Sequence, residues 1–350
     1  MRQITASVVL GMLLCADCQL AIAEPQVSAQ VAPAETGQPL DLAALKSLAG
    51  RDGFRVYPGN PLLSPGAPGE WDAGAIGSVT VALVDDQFHM YYEAWGRPDP
   101  NAEGVNYATL QIGHATSPDG VHWQKDPANP VLPKGALGEW DAKGTWDPFV
   151  LYEDGRFKLW YGGGIDQGCD WGYAESDDGQ RFAKRGRLSQ LHHVEDDHVI
   201  HDEESGKYFM YYWNRQHEPR GLFRAESTDE TNFDFVQATP IRIEGDSEQE
   251  MNKFTHVIRD RGRWFMFYAD FVRPTCDQSY TRLATSDDGI HWKSANRRLF
   301  AGHDADILPV GDSLYLAYFG PRGRFDAMDS DVRLAIFQGG LGDLAQPDDD

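Results

Sequence analysis

Two acidic groupings in this chain are spaced to do proton chemistry. One is Asp147, within Trp146-Asp147-Pro148-Phe149-Val150; the other is Glu195-Asp196-Asp197, directly before His198. Carboxyls crowded at one point desolvate and repel one another, so they titrate apart, and one can donate a proton near neutral pH while another accepts it. A solvated acidic loop or a cation site, Ca2+ included, is the plainer reading of the same residues. Asp72, Asp304 and Asp306 are further candidate carboxyls. His256 and His303 are candidate imidazoles, and each also fits an ordinary hydrogen-bonded structural place. Asp72 lies in Gly69-Glu70-Trp71-Asp72-Ala73, a phrase that returns at Gly138–Ala142. Recurrence at equivalent places suits a shared geometry, whereas an asymmetric reaction needs groups that a single repeat supplies, so Trp71, Asp72, Trp140 and Asp141 read first as frame.

The elements that would position these groups are repeats. Gly113-His-Ala115-Thr-Ser117-Pro-Asp119-Gly-Val-His-Trp123 is echoed from Gly172 to Phe182, from Phe223 to Phe233, from Leu283 to Trp292 and, eroded, at Arg333–Phe337. The alanines fall at 115, 174, 225, 284 and 335, steps of 59, 51, 59 and 51 residues, which is the spacing of a repeat architecture. Before each phrase stands an apolar strand pair with turn residues between. The pairs are Val79–Val84 with Phe88–Ala94, Phe149–Tyr152 with Phe157–Tyr161, His198–His201 with Tyr208–Trp213, His256–Arg259 with Trp264–Tyr268, and Ile307–Val310 with Leu314–Phe319. Five units of about four strands predict an all-β fold, a five-bladed β-propeller. Asn60-Pro61-Leu62-Leu63 matches Asn129-Pro130-Val131-Leu132, the end of a blade, yet precedes any blade of its own. The N-terminal strand Phe54–Leu63 is therefore expected to complete blade 5 and close the ring. In the repeat alignment Asp147 opens the innermost strand of blade 2, Glu195–Asp197 that of blade 3, and Ser78 stands in the matching place of blade 1.

At these residues the chain resembles the five-bladed propeller glycoside hydrolases, families 43 and 32 and their relatives. Trp146-Asp147-Pro148 is similar to their Asp-Pro signature, and the Ala-Thr-Ser-x-Asp-Gly-x-His-Trp phrases are similar to theirs, from about Phe54 to Leu341. The resemblance implies cleavage of glycosidic bonds by carboxylates reaching the central channel from blades 1, 2 and 3. Asp147 would orient substrate and stabilise the transition state, and one of Glu195, Asp196 or Asp197 would be the general acid. The first-blade carboxylate is missing, since Ser78 takes its place; Asp72 turned inward, a second acid of blade 3, or Asp304 or Asp306 of blade 5 could supply it. Cleavage otherwise lacks one of its two carboxyls. A carbohydrate-binding propeller without catalysis fits Ser78, and a phosphorylase or transglycosidase on the same frame fits an anion pocket at Arg322 and Arg324.

Substrate contacts are expected from the connections between second and third strands: Glu93, Trp95 and Arg97; Asp166 and Asp170; Asn214, Arg215 and His217; Asp270 and Arg273; Arg322, Arg324 and Asp326. His256 at the start of blade 4 joins them, and Trp95 and Trp146 are the candidates for stacking on a sugar ring. Cys169 and Cys276 sit in equivalent connections, where a bridge is one option. No cofactor is required by this reading.

Composition narrows the class further. The 350 residues carry 54 Asp and Glu against 31 Lys and Arg, a net charge of −23, which repels nucleic acid and anionic lipid. Arg2, the apolar run Ile4–Ala16 and Ala21-Ile22-Ala23 form the pattern of a signal peptide cleaved after residue 23, predicting export to the periplasm or beyond. Residues 24–53, rich in Ala, Pro and Gln, read as a flexible lead-in, 54–341 as the propeller and 342–350 as an acidic tail. Oligomeric state leaves no sequence signal.

Overall fold

The computed structural model describes residues 42–96, 109–165, 168–188, 194–214, 220–246, 255–271, 278–320 and 331–345, without the side chains of 165, 168 and 194–197. The expected signal peptide, Arg97, Asp166, Arg215, His217, Arg273, Cys276, Arg322, Arg324, Asp326 and the last five residues lie outside the described residues.

Helix α1 (Leu42–Leu48) and strand β1 (Arg55–Val56) come first. Strands β2 (Ala75–Val84), β3 (Gln87–Trp95), β4 (Gln111–Ser117) and β5 (Gln124–Lys125) form one antiparallel sheet in chain order. The second holds β6 (Thr145–Glu153), β7 (Arg156–Ile165), β8 (Gly168–Ser176) and β9 (Ala183–Arg187). The third set is β10 (Val194–Asp202), β11 (Lys207–Asn214), β12 (Gly221–Ser227) and β13 (Thr239–Glu244). The fourth is β14 (His256–Asp260), β15 (Arg263–Phe271), β16 (Ser279–Ser286) and β17 (His291–Ala301); a parallel pairing of β13 with β17 fuses the two into one eight-stranded sheet. In the last sheet β18 (Asp306–Val310), β19 (Leu314–Phe319) and β20 (Arg333–Gln338) take β1 as fourth strand, before helix α2 (Leu341–Leu344). The N-terminal segment thus completes the sheet that the C-terminal strands begin.

The recurring phrases explain this regularity. Each phrase alanine pairs with a middle-strand residue, namely Met90, Leu159, Met210, Met266 and Ala317, and these pair in turn with Val81, Val150, Val199, Val257 and Ile307. All five alanines are fully buried, where close-packed sheets favour a small side chain. The Ser-x-Asp turns after them are self-contained. Ser117 Oγ donates to Asp119 Oδ1 at 2.9 Å, and the same oxygen accepts the N–H groups of Val121 and His122. Asp178 and Asp229 repeat the arrangement, and the N–H donors hold both carboxyls down at about 2. The hairpin turns at Asp85-Asp86, Asp154-Gly155 and Arg261-Gly262 have left-handed φ at both residues, as two-residue hairpins require.

Neighbouring sheets are stitched at equivalent points. Hydroxyls of Tyr91, Tyr211 and Tyr318 donate to the carbonyls of Gly179, Gly289 and Gly120, each in the next set of strands, and Trp160 Nε1 reaches Glu230 O at 2.9 Å. The bond from Tyr318 to Gly120 ties the last sheet to the first. The innermost strands β2, β6, β10, β14 and β18 each contact the next, and β18 contacts β2.

Three expectations need correction. Residues 42–53 are not a loose lead-in: Leu45 is fully buried against Val332 and Ile336, and Gly50 pairs with Phe337. The acidic tail does not start at 342, because Leu341 and Leu344 pack with Phe54 and Phe337. Asp72 does not swing inward. It is buried under Lys125 at 2.5 Å with Trp71 stacked on Tyr92, and Asp141 repeats this with Lys184 at 2.6 Å and Trp140 against Tyr161. Each aspartate balances a lysine that arrives 53 or 43 residues later, so the pair is frame.

Candidate active site

Strand register makes the inner residues of the sheets comparable. Counting back from Val81, Val150, Val199, Val257 and Ile307, the third residue before each is Ser78, Asp147, Asp196 and Asp304 in the first, second, third and last sets, while that of the fourth lies outside the described residues. The residue immediately before each is Thr80, Phe149, His198, His256 and Asp306. Members of both rows line one cavity of about 60 Å3 where the first strands converge, Ser78, Asp147 and Asp304 from the upper row, Phe149, His198, His256 and Asp306 from the lower. That volume holds a few waters and is far below the roughly 300–1,000 Å3 of a small-molecule pocket.

In the upper row Asp147 is held by two residues of the first sheet. A bulge between Trp146 and Phe149 gives it φ 42°, a left-handed value that Asp tolerates and that re-aims its side chain. Its N–H donates to Glu93 Oε2 at 2.8 Å, and Ser78 Oγ donates to its Oδ1 at 2.8 Å. Gly77 makes room for this: a Cβ there would lie 1.9 Å from Glu93 Oε1. Ser78 stands in a matching bulge between Ile76 and Val79, and Asp196 in one between Glu195 and His198. Register therefore aligns Asp196, rather than Glu195 or Asp197, with Asp147.

The lower row joins sheet to sheet. Thr80 Oγ1 accepts the N–H of Val150 at 3.3 Å, His198 Nδ1 that of Val257 at 3.3 Å, and Asp306 Oδ2 that of Val81 at 3.0 Å. The other oxygen of Asp306 receives Thr80 Oγ1 at 3.3 Å and faces His256 Nδ1 at 3.3 Å. Because His198 Nδ1 accepts, its neutral ring carries the proton on Nε2. Burial, then the neighbouring His256 with ring centroids 4.1 Å apart, pushes this imidazole well below 6.5. Among the described residues His198 Nε2 and Thr255 Oγ1 have no hydrogen-bond partner, so polar atoms are available to a ligand or water at the cavity.

The remaining candidates divide. Trp146 is half-buried and lies over the backbone of Gly162, leaving it as the stacking candidate. Trp95 is only 2 % exposed, packed among Ala75, Leu110 and Trp146, and offers no face to a sugar. Asp170 is committed to Arg187 at 2.9 Å and Asp270 to Arg298 at 3.0 Å. Asn214 ends β11 opposite Val194. His303 is fully buried with Nδ1 2.8 Å from Ser279 Oγ, and burial drives it down to about 3, so it is part of the frame. Sequence reasoning missed Thr255 and placed Glu93 among substrate contacts, although the glycine opposite it, Gly77, was the available signal. Among the described residues no three His, Cys, Asp or Glu side chains converge as metal ligands.

No family model matches the chain. It is 26% identical over 231 residues to an uncharacterized protein, Rv1502, of Mycobacterium tuberculosis, covering 61% of this chain and 72% of that one. Among solved structures it is similar to the β-1,2-mannobiose phosphorylase of Listeria innocua in complex with β-1,2-mannobiose, with TM-score 0.63 and 14% identity over 83% of this chain and 98% of the other. A thermostable family-43 glycoside hydrolase matches with TM-score 0.56 and 14% identity over 79% and 96% of the two chains. The solved structures that share this all-β, propeller-like fold are glycoside hydrolases and related propeller enzymes.

Proposed function

We propose that the chain is an exported, carbohydrate-active enzyme that cleaves glycosidic bonds in the channel of a five-bladed β-propeller. The blade count rests on five equivalent alanine registers and on innermost strands that contact one another in a closed circuit. The observation that carries the activity is Asp147. It interrupts the repeat, adopts a left-handed backbone and is held in the cavity by Ser78 and Glu93.

Glycoside cleavage needs a proton for the leaving oxygen and a negative charge near the anomeric carbon. In this reading Asp147, fixed by Ser78 and Glu93 of the first sheet, supplies a carboxylate against developing positive charge, and Asp196, level with it on β10, is the acid. Trp146 gives the sugar an apolar face. The phosphorylase among the similar structures makes the acceptor an open variable between water and phosphate.

Incubating the mature protein with aryl glycosides and oligosaccharides, with and without inorganic phosphate, tests the reading. Release of reducing sugar without phosphate is the expected result; phosphate-dependent release of a sugar phosphate would make it a phosphorylase. Sugar binding without turnover would leave a binding propeller and end the enzymatic reading.

A further inference from the structure

Ser78 leaves the first sheet without a carboxyl in the upper row, and the same row names the replacement. Asp304 occupies that row in the last sheet, three residues before Ile307, as Asp147 does before Val150. Its φ of 54° is left-handed like the 42° of Asp147, and it lines the same cavity. Asp306, two residues on, is engaged by Val81, Thr80 and His256 as a brace between sheets, while Asp304 Oδ2 lies 3.7 Å from His303 Nε2. Order around the ring matters too. The last sheet touches the first and fourth sets of strands, so the second and third, which bring Asp147 and Asp196, are the two it does not adjoin. Asp304, just before β18, therefore lies across the ring from β6 and β10, the placing that one partner of a pair flanking a bond needs.

We propose that Asp304 is the catalytic base of this site, replacing the carboxylate absent at Ser78; the assignment rests on the glycoside-cleaving reading above. Its carboxylate takes a proton from a water whose oxygen bonds to the anomeric carbon. The bond from that carbon to the leaving oxygen breaks, and the leaving oxygen takes the proton of the acid on β10. The acid recovers its proton from solvent and Asp304 returns its own, so one water is consumed per bond.

The test uses Asp304→Asn and Asp304→Gly, both of which suit a left-handed φ, with thermal melts confirming that each is folded. On an aryl glycoside that the wild type cleaves, each variant should lose about a hundredfold or more of kcat. Azide should restore release in Asp304→Gly, where the missing side chain leaves room for it; a merely structural role would not respond to azide. A folded variant that keeps wild-type kcat, or a loss that azide leaves unchanged, overturns the assignment while the cleavage reading stands. A wild type that releases nothing from any substrate overturns both.

Discussion

A single residue change between repeats carries most of the functional argument. Asp147 was legible because Trp146-Asp147-Pro148 differs from the matching stretch of blade 1. Its supports were not, because Ser78 reads as a loss until its hydroxyl is found 2.8 Å from the Asp147 carboxylate. Ser78→Ala should then leave the melting temperature nearly unchanged and lower kcat/KM on a cleavable glycoside by about 10- to 100-fold, the worth of one hydrogen bond to a charged group; an unchanged kcat/KM would mean that this bond does not matter to the reaction. Asp72 and Trp95 show the opposite limit. Whether an acid turns inward or salts a lysine, and whether an indole faces solvent or core, depends on partners outside its own strand, Lys125 for one and Leu110 for the other.

Strands were the most readable elements, since short apolar runs bounded by turn residues such as Asp154-Gly155 or Arg261-Gly262 leave little choice of pairing. The Asn-Pro-x-Leu match correctly foretold that the N-terminal segment would pair with the last sheet. Asn60 and Asn129 show why the motif works, as each side chain bonds both backbone groups of a third-strand residue, Leu334 and His114. The parallel pairing of β13 with β17 had no sequence signal, because it depends on two outer strands meeting edge to edge. Helix α1 was missed because its seven residues, too few to show a helical period, follow a stretch rich in Ala, Pro and Gln and were read with it. Leu45→Ala, which empties a fully buried site against β20, should cost about 2–5 kcal/mol in urea unfolding, and a loss below 1 kcal/mol would show α1 to be dispensable.

For the whole molecule, closure of the ring buries imidazoles at several sheet contacts. Burial lowers His89 to about 4 and His303 to about 3, and holds His114 and His198 below their ordinary value. The unfolded chain binds those protons near pH 6.5, so folding stability is full above that value and falls as pH drops through 6.5 toward 4 and then 3. Below 3.8 the carboxyls of Asp178 and Asp229, held near 2, add to the loss. Urea midpoints at pH 7, 5.5 and 4 should decline in that order, and a flat profile from 7 to 4 would contradict neutral burial of these rings. The central claim is that the channel performs glycoside chemistry through Asp147. Its most direct test is product release by Asp147→Asn beside wild type on the same glycoside, with matched melting curves. We predict a folded variant whose kcat is lower by about 10^2- to 10^4-fold. A folded Asp147→Asn that turns over substrate at the wild-type rate would contradict the account.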